Sequence, residues 1–593
     1  MTDRIPPLTP YPLRVLLGRI AHEWETRHRI FDLPIARIFD VSAGPGLSAE
    51  FLGRPAATPV GPAAGPHTQL AQNIVLAWLG GARIMELKTV QILDELEISR
   101  PCIDMETVGY NVEWSQELKI GQSLEEYVKA WMMIEILRGW PELRPYLGED
   151  PGPHIFDLSV GYDLAGISSP EIAGFIEGLM DASRVIDRLR VEIPEPFTDW
   201  QNHAFPTRVA DTVTLSTFHG CPPGEIESIT KHLMTRHDLD VVVKLNPTLL
   251  GYDSVGEIVH ELLGYEEVGL REEDFEADLQ FDRGVELIDG LARFAAAEGR
   301  RFGVKLSNTL VVDNHRHLLP DTPMYLSGQP LHVVTMTLLG RLDAALPGLF
   351  GLTGRDGPVQ VSFSAGLTKE NLASVAALGV TPMTVCSDLL KPGGYGRIKP
   401  MLEGLQKTME KAGCPDLGAW RRQAGPEVVP SYVEGLRRPE QVEHYSRAGT
   451  SKLPRSVDSV LERWGCVACN FCVTVCPNDA FVRLPTPEGM EVDGRQQYFC
   501  LAELCNECGN CTTFCPEIGE PWLVKPRLFL DAARFAADPA SRPGFLIEAF
   551  DGGIGVTTKP GYEADVGPLT DILNAKEGLP IRPGDLVTAS HVG

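Results

Sequence analysis

Between about residues 55 and 410, short apolar runs rich in β-branched residues alternate with segments of helical length. Helical patterns such as PPGEIESITKHLMTRH and TKENLASVAALG follow most of these runs. Eight strands alternating with helices are typical of an α/β fold, the (β/α)8 or TIM barrel, here with insertions. The predicted strands cover residues 58–63, 83–89, 154–160, 212–217, 240–245, 302–307, 358–363 and 382–386.

The pattern changes on both sides of this alternating region. A polar, proline-bearing stretch follows it and predicts a linker with one helix near residues 455–464. The last segment is rich in Gly, Pro and Asp and predicts an ordered but irregular extension. The predicted divisions are an N-terminal extension (1–54), the barrel (55–421), the linker (422–463), a cysteine module (464–526) and a C-terminal extension (527–593).

Composition and charge narrow the class of protein. Of 593 residues, 43% are hydrophobic and 22% charged, which is typical of a folded globular protein. A formal net charge of −27 argues against nucleic acid and anionic membranes as partners, because both would repel it. No long apolar stretch predicts a signal peptide or a membrane-spanning helix, so we expect a cytoplasmic protein.

Nine of the 13 cysteines lie between Cys466 and Cys515. Eight of them form two CxxCxxCxxxCP runs, the pattern of a bacterial ferredoxin-like α+β domain with two [4Fe–4S] clusters. Zinc ribbons are the alternative, but they use paired CxxC motifs. The fourth cysteine of each run is expected to cross over to the other cluster. The predicted ligand sets are Cys466, Cys469, Cys472 and Cys515 for one cluster, and Cys505, Cys508, Cys511 and Cys476 for the other.

Two clusters relay single electrons and imply a second redox centre, in the barrel or in a partner. No GxGxxG motif follows a predicted strand, so a Rossmann dinucleotide domain is not expected in this chain. An NAD(P)H- or FAD-binding subunit, or a ferredoxin, is therefore the expected electron partner, besides a small-molecule substrate.

In a TIM barrel the chemistry lies where the strands end, at their carboxyl side. Three lysines fall at such ends: Lys88, Lys244 and Lys305. Either they face a ligand or each pairs with a neighbouring carboxylate. Gly366 and Ser387 follow the seventh and eighth strands, where barrels commonly hold a phosphate such as that of flavin mononucleotide (FMN).

The strand-end strings AAG, LKT, KLNP, SNT and CS, with a Cys-Pro turn after the fourth strand, occur in the order found in a known family. They resemble the flavin domain of the dihydroorotate and dihydropyrimidine dehydrogenases. The strings STFHGCPPGEIESI and VVVKLNPTLLGY are similar to the bacterial selenate reductase large-subunit family, whose members join such a barrel to a ferredoxin domain. The resemblance covers roughly residues 50–525.

This resemblance implies an FMN-dependent oxidoreductase acting on a CH–CH group of a planar, pyrimidine- or purine-like heterocycle or of another conjugated substrate. Asn111 and Asn246 would bind the substrate. Phe218 departs from the pattern, because the family has an asparagine there. The residues that would contact FMN are Ala64, Gly65, Lys88, Thr89, Lys244, Asn308, Thr309, Gly366, Cys386 and Ser387.

Cys221 lies in a His-Gly-Cys-Pro-Pro turn before a predicted helix. A thiol near a helix N-terminus is expected to have a lowered pKa and to exchange protons. In the resembling enzymes a cysteine at this turn gives a proton to the substrate, and a buried packing cysteine is the alternative. His219 is the second acid–base candidate, and the alternative is that it orients the loop.

Two other functions compete with the flavoprotein. The chain could be a flavin-free electron-transfer or scaffold subunit of a multisubunit reductase, for example one similar to selenate reductase. It could also be an aldolase-type barrel fused to a structural ferredoxin. Bound flavin and clusters would separate the three.

Overall fold

The centre of the computed structural model is a parallel sheet of eight strands. It contains every strand that the sequence predicts, in the predicted order. The described residues are 8–93, 103–105, 110–111, 116–216, 219–315, 317, 323–353, 355–490, 492–550 and 553–581. The strands are β1 (Val60–Pro62), β2 (Ile84–Glu86), β3 (Ile155–Gly161), β4 (Thr212–Ser216), β5 (Asp240–Leu245), β6 (Phe302–Leu306), β7 (Val359–Phe363) and β8 (Met383–Val385).

The sheet closes on itself into the predicted barrel. The strands from β2 to β8 pair in parallel, and β8 pairs with β1 through Met383 and Val60. The backbone N–H of Arg83, just before β2, donates a 2.9 Å hydrogen bond to the Val60 carbonyl and completes the circle. Because all strands run the same way, their carboxyl ends meet at one rim.

Helices pack around the barrel through apolar faces with a spacing of three or four residues. The helix at 398–411 illustrates this, since it buries Met401, Leu402, Leu405 and Met409. The N-terminal helix is α1 (Leu13–Arg27), and further helices along the barrel region are α2 (Ala71–Leu79), α3 (Ile120–Gly139), α4 (Pro170–Met180), α5 (Pro223–Arg236), α6 (Phe281–Ala297), α7 (Pro330–Ala345), α8 (Leu372–Ala377) and α9 (Ile398–Lys411).

The amino end of the barrel is covered by a hairpin, Ala49–Phe51 paired with Arg54–Ala56. Phe51, Leu52 and Ala56 form one buried apolar cluster with Ile84, Ile155 and Val242 on the barrel strands. This apolar cover leaves the opposite, carboxyl rim for polar chemistry.

A second sheet follows the barrel and contains five strands. The expectation of an irregular C-terminal extension is wrong, because residues 527–558 supply three of these strands. Parallel pairing of Arg527 with Cys500 joins them to the cysteine module. The strands are β9 (Phe481–Pro485), β10 (Gln496–Leu501), β11 (Arg527–Phe529), β12 (Gly544–Phe550) and β13 (Gly553–Thr558), followed by α10 (Glu563–Asn574).

The helix predicted near residues 455–464 is also wrong, since residues 451–464 contain no helix. The segment instead runs beside 516–518: the Val457 N–H donates to the Pro516 carbonyl (2.8 Å) and the Leu461 N–H to that of Ile518 (2.9 Å). Backbone hydrogen bonds to the cysteine module thus replace the helix that the local sequence pattern predicts. Helices at Leu417–Ala424, Val428–Gly435, Pro439–Val442 and Arg447–Thr450 precede it.

The N-terminal helix α1 joins the barrel to the cysteine module. Its Arg19 is fully buried and forms ion pairs with Glu23 (2.6 Å) and with Asp479 (2.6 Å), three residues after Cys476. A buried pair of this kind is costly to break, because either charge left alone would lack its partner. Among the described residues, no helix is both long and apolar enough to cross a bilayer.

Candidate active site

A cavity of about 620 Å³ opens at the carboxyl rim of the barrel. It lies where the sequence predicted chemistry, and seven of the ten predicted flavin contacts line it. These seven are Ala64, Lys244, Asn308, Thr309, Gly366, Cys386 and Ser387.

The other three predicted contacts are not among the residues that line this cavity. A β-carbon on Gly65 would stand 3.0 Å from the Cys386 sulfur, so Gly65 packs against a wall residue. Lys88 is buried and acts electrostatically on Lys244. Thr89 Oγ1 lies 2.7 Å from the Ser159 hydroxyl.

The lysines at the rim divide into two kinds. Lys305 forms a close, buried ion pair with Glu86 and donates a 2.8 Å hydrogen bond to Thr384 Oγ1. Of the two alternatives for the rim lysines, facing a ligand or pairing with a carboxylate, the second therefore holds for Lys305. Burial lowers the pKa of Lys244 to about 8; Glu86 opposes this shift, while Lys305 and Lys88 add to it. The cavity thus holds more cations than carboxylates, which suits an anionic ligand.

Gly366 occupies a position that other residues would strain. Its φ is +54°, in the left-handed region, and a β-carbon there would lie 2.7 Å from the Gln329 α-carbon. The absent side chain lets the β7 loop lie against the start of α7 and leaves its backbone at the cavity wall.

Sequence reasoning missed the part of the wall formed by Ser327 and Gly328. Both follow a strand of a small four-stranded sheet outside the barrel. Its strands are Leu310–Val312, Met324–Leu326, Ile103–Asp104 and Tyr110–Asn111. Asn111 belongs to this sheet, but its side chain lies outside the described part of the chain. No periodic signal marks these short strands, so pattern reasoning could not find them.

A second cavity, of about 280 Å³, contains Cys221 and Asn246. Asn308 Nδ2 donates a 3.1 Å hydrogen bond to Asn246 Oδ1, and Asn308 also lines the first cavity. This hydrogen bond therefore connects the walls of the two cavities.

One carboxylate, Asp278, gathers the donors around this second cavity, and sequence reasoning missed it. It accepts from the Gly220 N–H, from Thr248 Oγ1 (2.7 Å) and from Asn246 Nδ2 (3.1 Å), and it lies 3.0 Å from His219 Nδ1. The pKa of Asp278 is lowered, because these hydrogen bonds and the charge of His219 outweigh its burial.

The expectation of a lowered pKa for the Cys221 thiol is wrong. Burial, together with the nearby carboxylates of Glu225 and Asp278, raises this pKa to about 12. Burial and these carboxylates thus raise the pKa of the thiol by more than the helix N-terminus lowers it. Cys221 is therefore a protonated thiol at neutral pH, which suits a proton donor better than a nucleophile. His219 stacks on Tyr325, with ring centroids 5.8 Å apart.

The cysteine module contains a cavity of about 280 Å³ whose wall includes one complete predicted ligand set, crossover included: Cys476, Cys505, Cys508 and Cys511. Cys472 interacts electrostatically with Cys469, Cys466 and Cys515, the members of the other set. Burial raises the pKa of Cys476 to about 12, and thiols so buried ionise when a metal binds them. The donor set therefore fits iron–sulfur clusters.

A site for a single metal ion is a separate question from a site for a cluster. In the part of the chain that the structure describes, no group of three or more His, Cys, Asp or Glu side chains could hold one ion. The ninth cysteine, Cys500, is fully buried and hydrogen-bonds with Cys505.

A short series of contacts joins the barrel cavity to the cysteine module. Cys386 Sγ lies 4.0 Å from His67 Nδ1, and the His67 ring meets the Tyr395 ring edge-on at 5.2 Å. The Tyr395 hydroxyl donates a 2.6 Å hydrogen bond to the carbonyl of Pro477, the neighbour of Cys476. The ligand set that contains Cys476 is therefore the one that lies against the barrel.

Comparison with known proteins gives the family. The model described as "Oxidoreductase YgfK, N-terminal TIM-barrel domain" matches residues 32–423. The chain belongs to this family. The match covers the barrel and agrees with the closed eight-stranded sheet, and it places the chain among oxidoreductases.

Two relatives from Escherichia coli, of strain K12 and of O157:H7, are both described as "Putative oxidoreductase YgfK". Each is 39% identical over 456 residues, which cover 73% of this chain but 42% of the relative. The chain thus matches less than half of these longer proteins. Among solved structures, a ligand-free dihydroorotate dehydrogenase (DHODH) from Eimeria tenella has a TM-score of 0.42 and 14% identity, covering 69% of this chain and 99% of that one.

Proposed function

We propose that this protein is an iron–sulfur flavoprotein oxidoreductase with FMN in the barrel cavity and two [4Fe–4S] clusters in the cysteine module. The proposed substrate is a planar pyrimidine- or purine-like heterocycle, or another conjugated compound. When bound, FMN supplies hydride exchange and the clusters supply single-electron transfer. The observation that carries the proposal is the series of contacts from Cys386 to Pro477, which links the two cofactor cavities.

The barrel residues would hold the flavin by charge and by close backbone approach. The Lys244 ammonium would lie by the ring, where negative charge develops on reduction. The Gly366 backbone and the Ser387 hydroxyl, which lies 3.3 Å from Ser327 Oγ, would bind the phosphate.

The substrate would lie between the two cavities of the barrel rim. The linked amides of Asn246 and Asn308 offer hydrogen-bonding groups to the edge of a heterocycle. Cys221 would donate its proton to a substrate carbon, since its thiol stays protonated at neutral pH. Asn111 is proposed as a further substrate contact from the family resemblance.

The electron partner is proposed to be an NAD(P)H/FAD-binding subunit or a ferredoxin. Cys469 is exposed, so a cluster held by its ligand set would approach the protein surface. The net charge of −27 supports a protein partner in preference to nucleic acid or an anionic membrane. We propose a cytoplasmic location, where cysteines remain reduced.

An anaerobic preparation of the full chain tests the proposal. We expect a flavin band at about 450 nm above broad cluster absorbance, released FMN, and about eight iron atoms per chain. Bleaching of that band by one member of a panel of pyrimidines, purines and their dihydro forms would identify the substrate class. Clusters without flavin would favour an electron-transfer or scaffold subunit of a multisubunit reductase, and a preparation with neither cofactor would contradict both functions.

A further inference from the structure

Four hydrogen-bonding groups converge on the buried carboxylate of Asp278, which is 5% exposed. They come from the turn after β4 and from the loop after β5. An ionised carboxylate accepts hydrogen bonds and donates none, so each partner must present a proton to it. This acceptor therefore determines how the neighbouring side chains are oriented.

The orientation of two side chains follows from this. His219 must present its Nδ1–H to Asp278, so Nε2 is the ring nitrogen that the carboxylate does not engage. That Nε2 atom is buried and has no hydrogen-bond partner among the described residues. Asn246 must present its Nδ2, so its Oδ1 is turned to accept from Asn308.

Asp278 comes from an insertion in the barrel and not from a strand end. It follows the acidic helix Glu272–Ala277, and Gln280 Nε2 donates a 2.8 Å hydrogen bond to its carbonyl. The neighbouring carboxylates Glu273 and Glu276 are exposed. Of these, Asp278 is the one that turns inward to the turn carrying Cys221.

We propose that Asp278 is the positioning residue of this active site, holding the His219–Cys221 turn and the Asn246 amide in one fixed arrangement. The proposal rests on the proposed function, because it gives these residues their roles. It also has a consequence that needs no substrate: a negative charge beside the Cys221 thiol disfavours the thiolate and slows its alkylation.

The test is the rate at which iodoacetamide alkylates Cys221 at pH 8 in the anaerobic holoprotein, followed by mass spectrometry of its peptide. Asp278→Asn removes the charge and keeps the shape. We expect alkylation to become faster by up to about tenfold, because loss of the charge lowers the pKa of the thiol and a fall of one pKa unit corresponds to tenfold. Asp278→Glu keeps the charge in a longer side chain and should stay within about twofold of the native rate. Glu276→Gln, an exposed carboxylate on the adjacent helix, is the matched control and should change nothing.

An unchanged rate in Asp278→Asn would overturn the proposal. Equal acceleration in Asp278→Asn and Asp278→Glu would also overturn it, because loosened packing would then explain the effect. The alkylation result does not depend on flavin or turnover. If the protein holds no flavin, the proposed function fails while this experiment still decides the role of Asp278.

If a substrate is found, Asp278→Asn should lower kcat by about tenfold or more and change its pH profile, while Glu276→Gln keeps both. A native pH profile in Asp278→Asn would contradict a positioning role.

Discussion

The Tyr395 hydroxyl donates a 2.6 Å hydrogen bond to the carbonyl oxygen of Pro477, across the contact between barrel and cysteine module. Tyr395 also lies edge-on to His67, whose ring is beside the cavity residue Cys386. The tyrosine therefore contacts both His67, a neighbour of the barrel-cavity wall, and the backbone next to a proposed cluster ligand.

Tyr395→Phe should keep the ring and remove this hydrogen bond. We expect a loss of about 1 kcal/mol in the free energy of unfolding, together with slower electron exchange between flavin and clusters. Stopped-flow absorbance can follow the exchange. Tyr562→Phe, which removes a 2.6 Å hydrogen bond to the Ser541 carbonyl at an exposed position, is the control. Equal exchange rates in the two variants would show that Tyr395 is not part of the connection.

The crossover of the fourth cysteines predicts which variants behave alike. Cys515→Ser should lose the same cluster as Cys466→Ser, and Cys476→Ser the same cluster as Cys508→Ser, with about four irons remaining in each case. Electron paramagnetic resonance of the dithionite-reduced proteins, with iron analysis, distinguishes the two classes.

Cys500→Ser is the control for this series, since Cys500 lies outside both ligand sets, and it should retain both clusters. If Cys515→Ser instead gave the same spectrum as Cys508→Ser, the crossover would be disproved.

The buried pair of Lys305 and Glu86 should be sensitive to removal of one partner. Lys305→Met leaves a buried carboxylate without its cation, and we expect a loss of about 3 to 5 kcal/mol in the free energy of unfolding. The double variant Lys305→Met/Glu86→Gln should recover much of this loss, because no charge is left unpaired. Urea denaturation measures both, and an equal loss in the single and double variants would refute the pairing argument.

Lys244 gives a prediction about pH. Its pKa is lowered to about 8, so the ligand-free cavity loses this positive charge as the pH rises through about 8. FMN binding to the apo-protein should therefore weaken above pH 8, by up to about tenfold per pH unit. Lys244→Met should bind more weakly at pH 7 and lose this dependence.

Flavin fluorescence measures the affinity between pH 6.5 and 9, a range chosen to lie roughly either side of this pKa. Lys244→Arg, which stays charged over the range, should bind equally at both ends. A pH dependence that persists in Lys244→Arg would assign the titration to another group.

The same lowered pKa affects stability. Folding disfavours the protonated form of Lys244, so the unfolded chain binds more protons between about pH 8 and its ordinary pKa. This group's contribution to stability therefore decreases as the pH falls from about 10.5 to 8, and it is constant below that. Lys244→Met should flatten this part of the stability curve.

The barrel was predictable because buried parallel strands leave a direct signal, a short β-branched run such as that of β5. Residues at the carboxyl ends of the predicted strands, such as Lys244 and Ser387, could then be assigned to the rim, because a barrel brings these ends together. Asp278 left no such signal, because it comes from an insertion whose acidic residues resemble a solvated surface. Only the folded chain shows which of these carboxylates turns inward.

The predictions that were wrong concern segments whose structure or pKa depends on residues far away in the sequence. The stretch at 455–464 forms no helix because its backbone pairs with residues 516–518. The Gly-containing region at 544–558 forms strands because an existing sheet edge in the module accepts β11 and then β12. Burial raises the pKa of Cys221 most, followed by Glu225 and then by Asp278, which is 57 residues away in sequence, so the helix terminus alone gave the wrong direction.

The ion pair between Arg19 and Asp479 joins groups 460 residues apart in the chain. During synthesis at about 5 to 20 residues per second, the first helix would wait roughly 20 to 90 s for this partner to emerge from the ribosome. Until then Arg19 lacks one of its two carboxylate partners, while Trp24 on the same helix can already pack against Trp140. The helix can therefore pack against early-synthesised parts of the barrel first, and its buried arginine gains its second carboxylate only after the cysteine module has emerged.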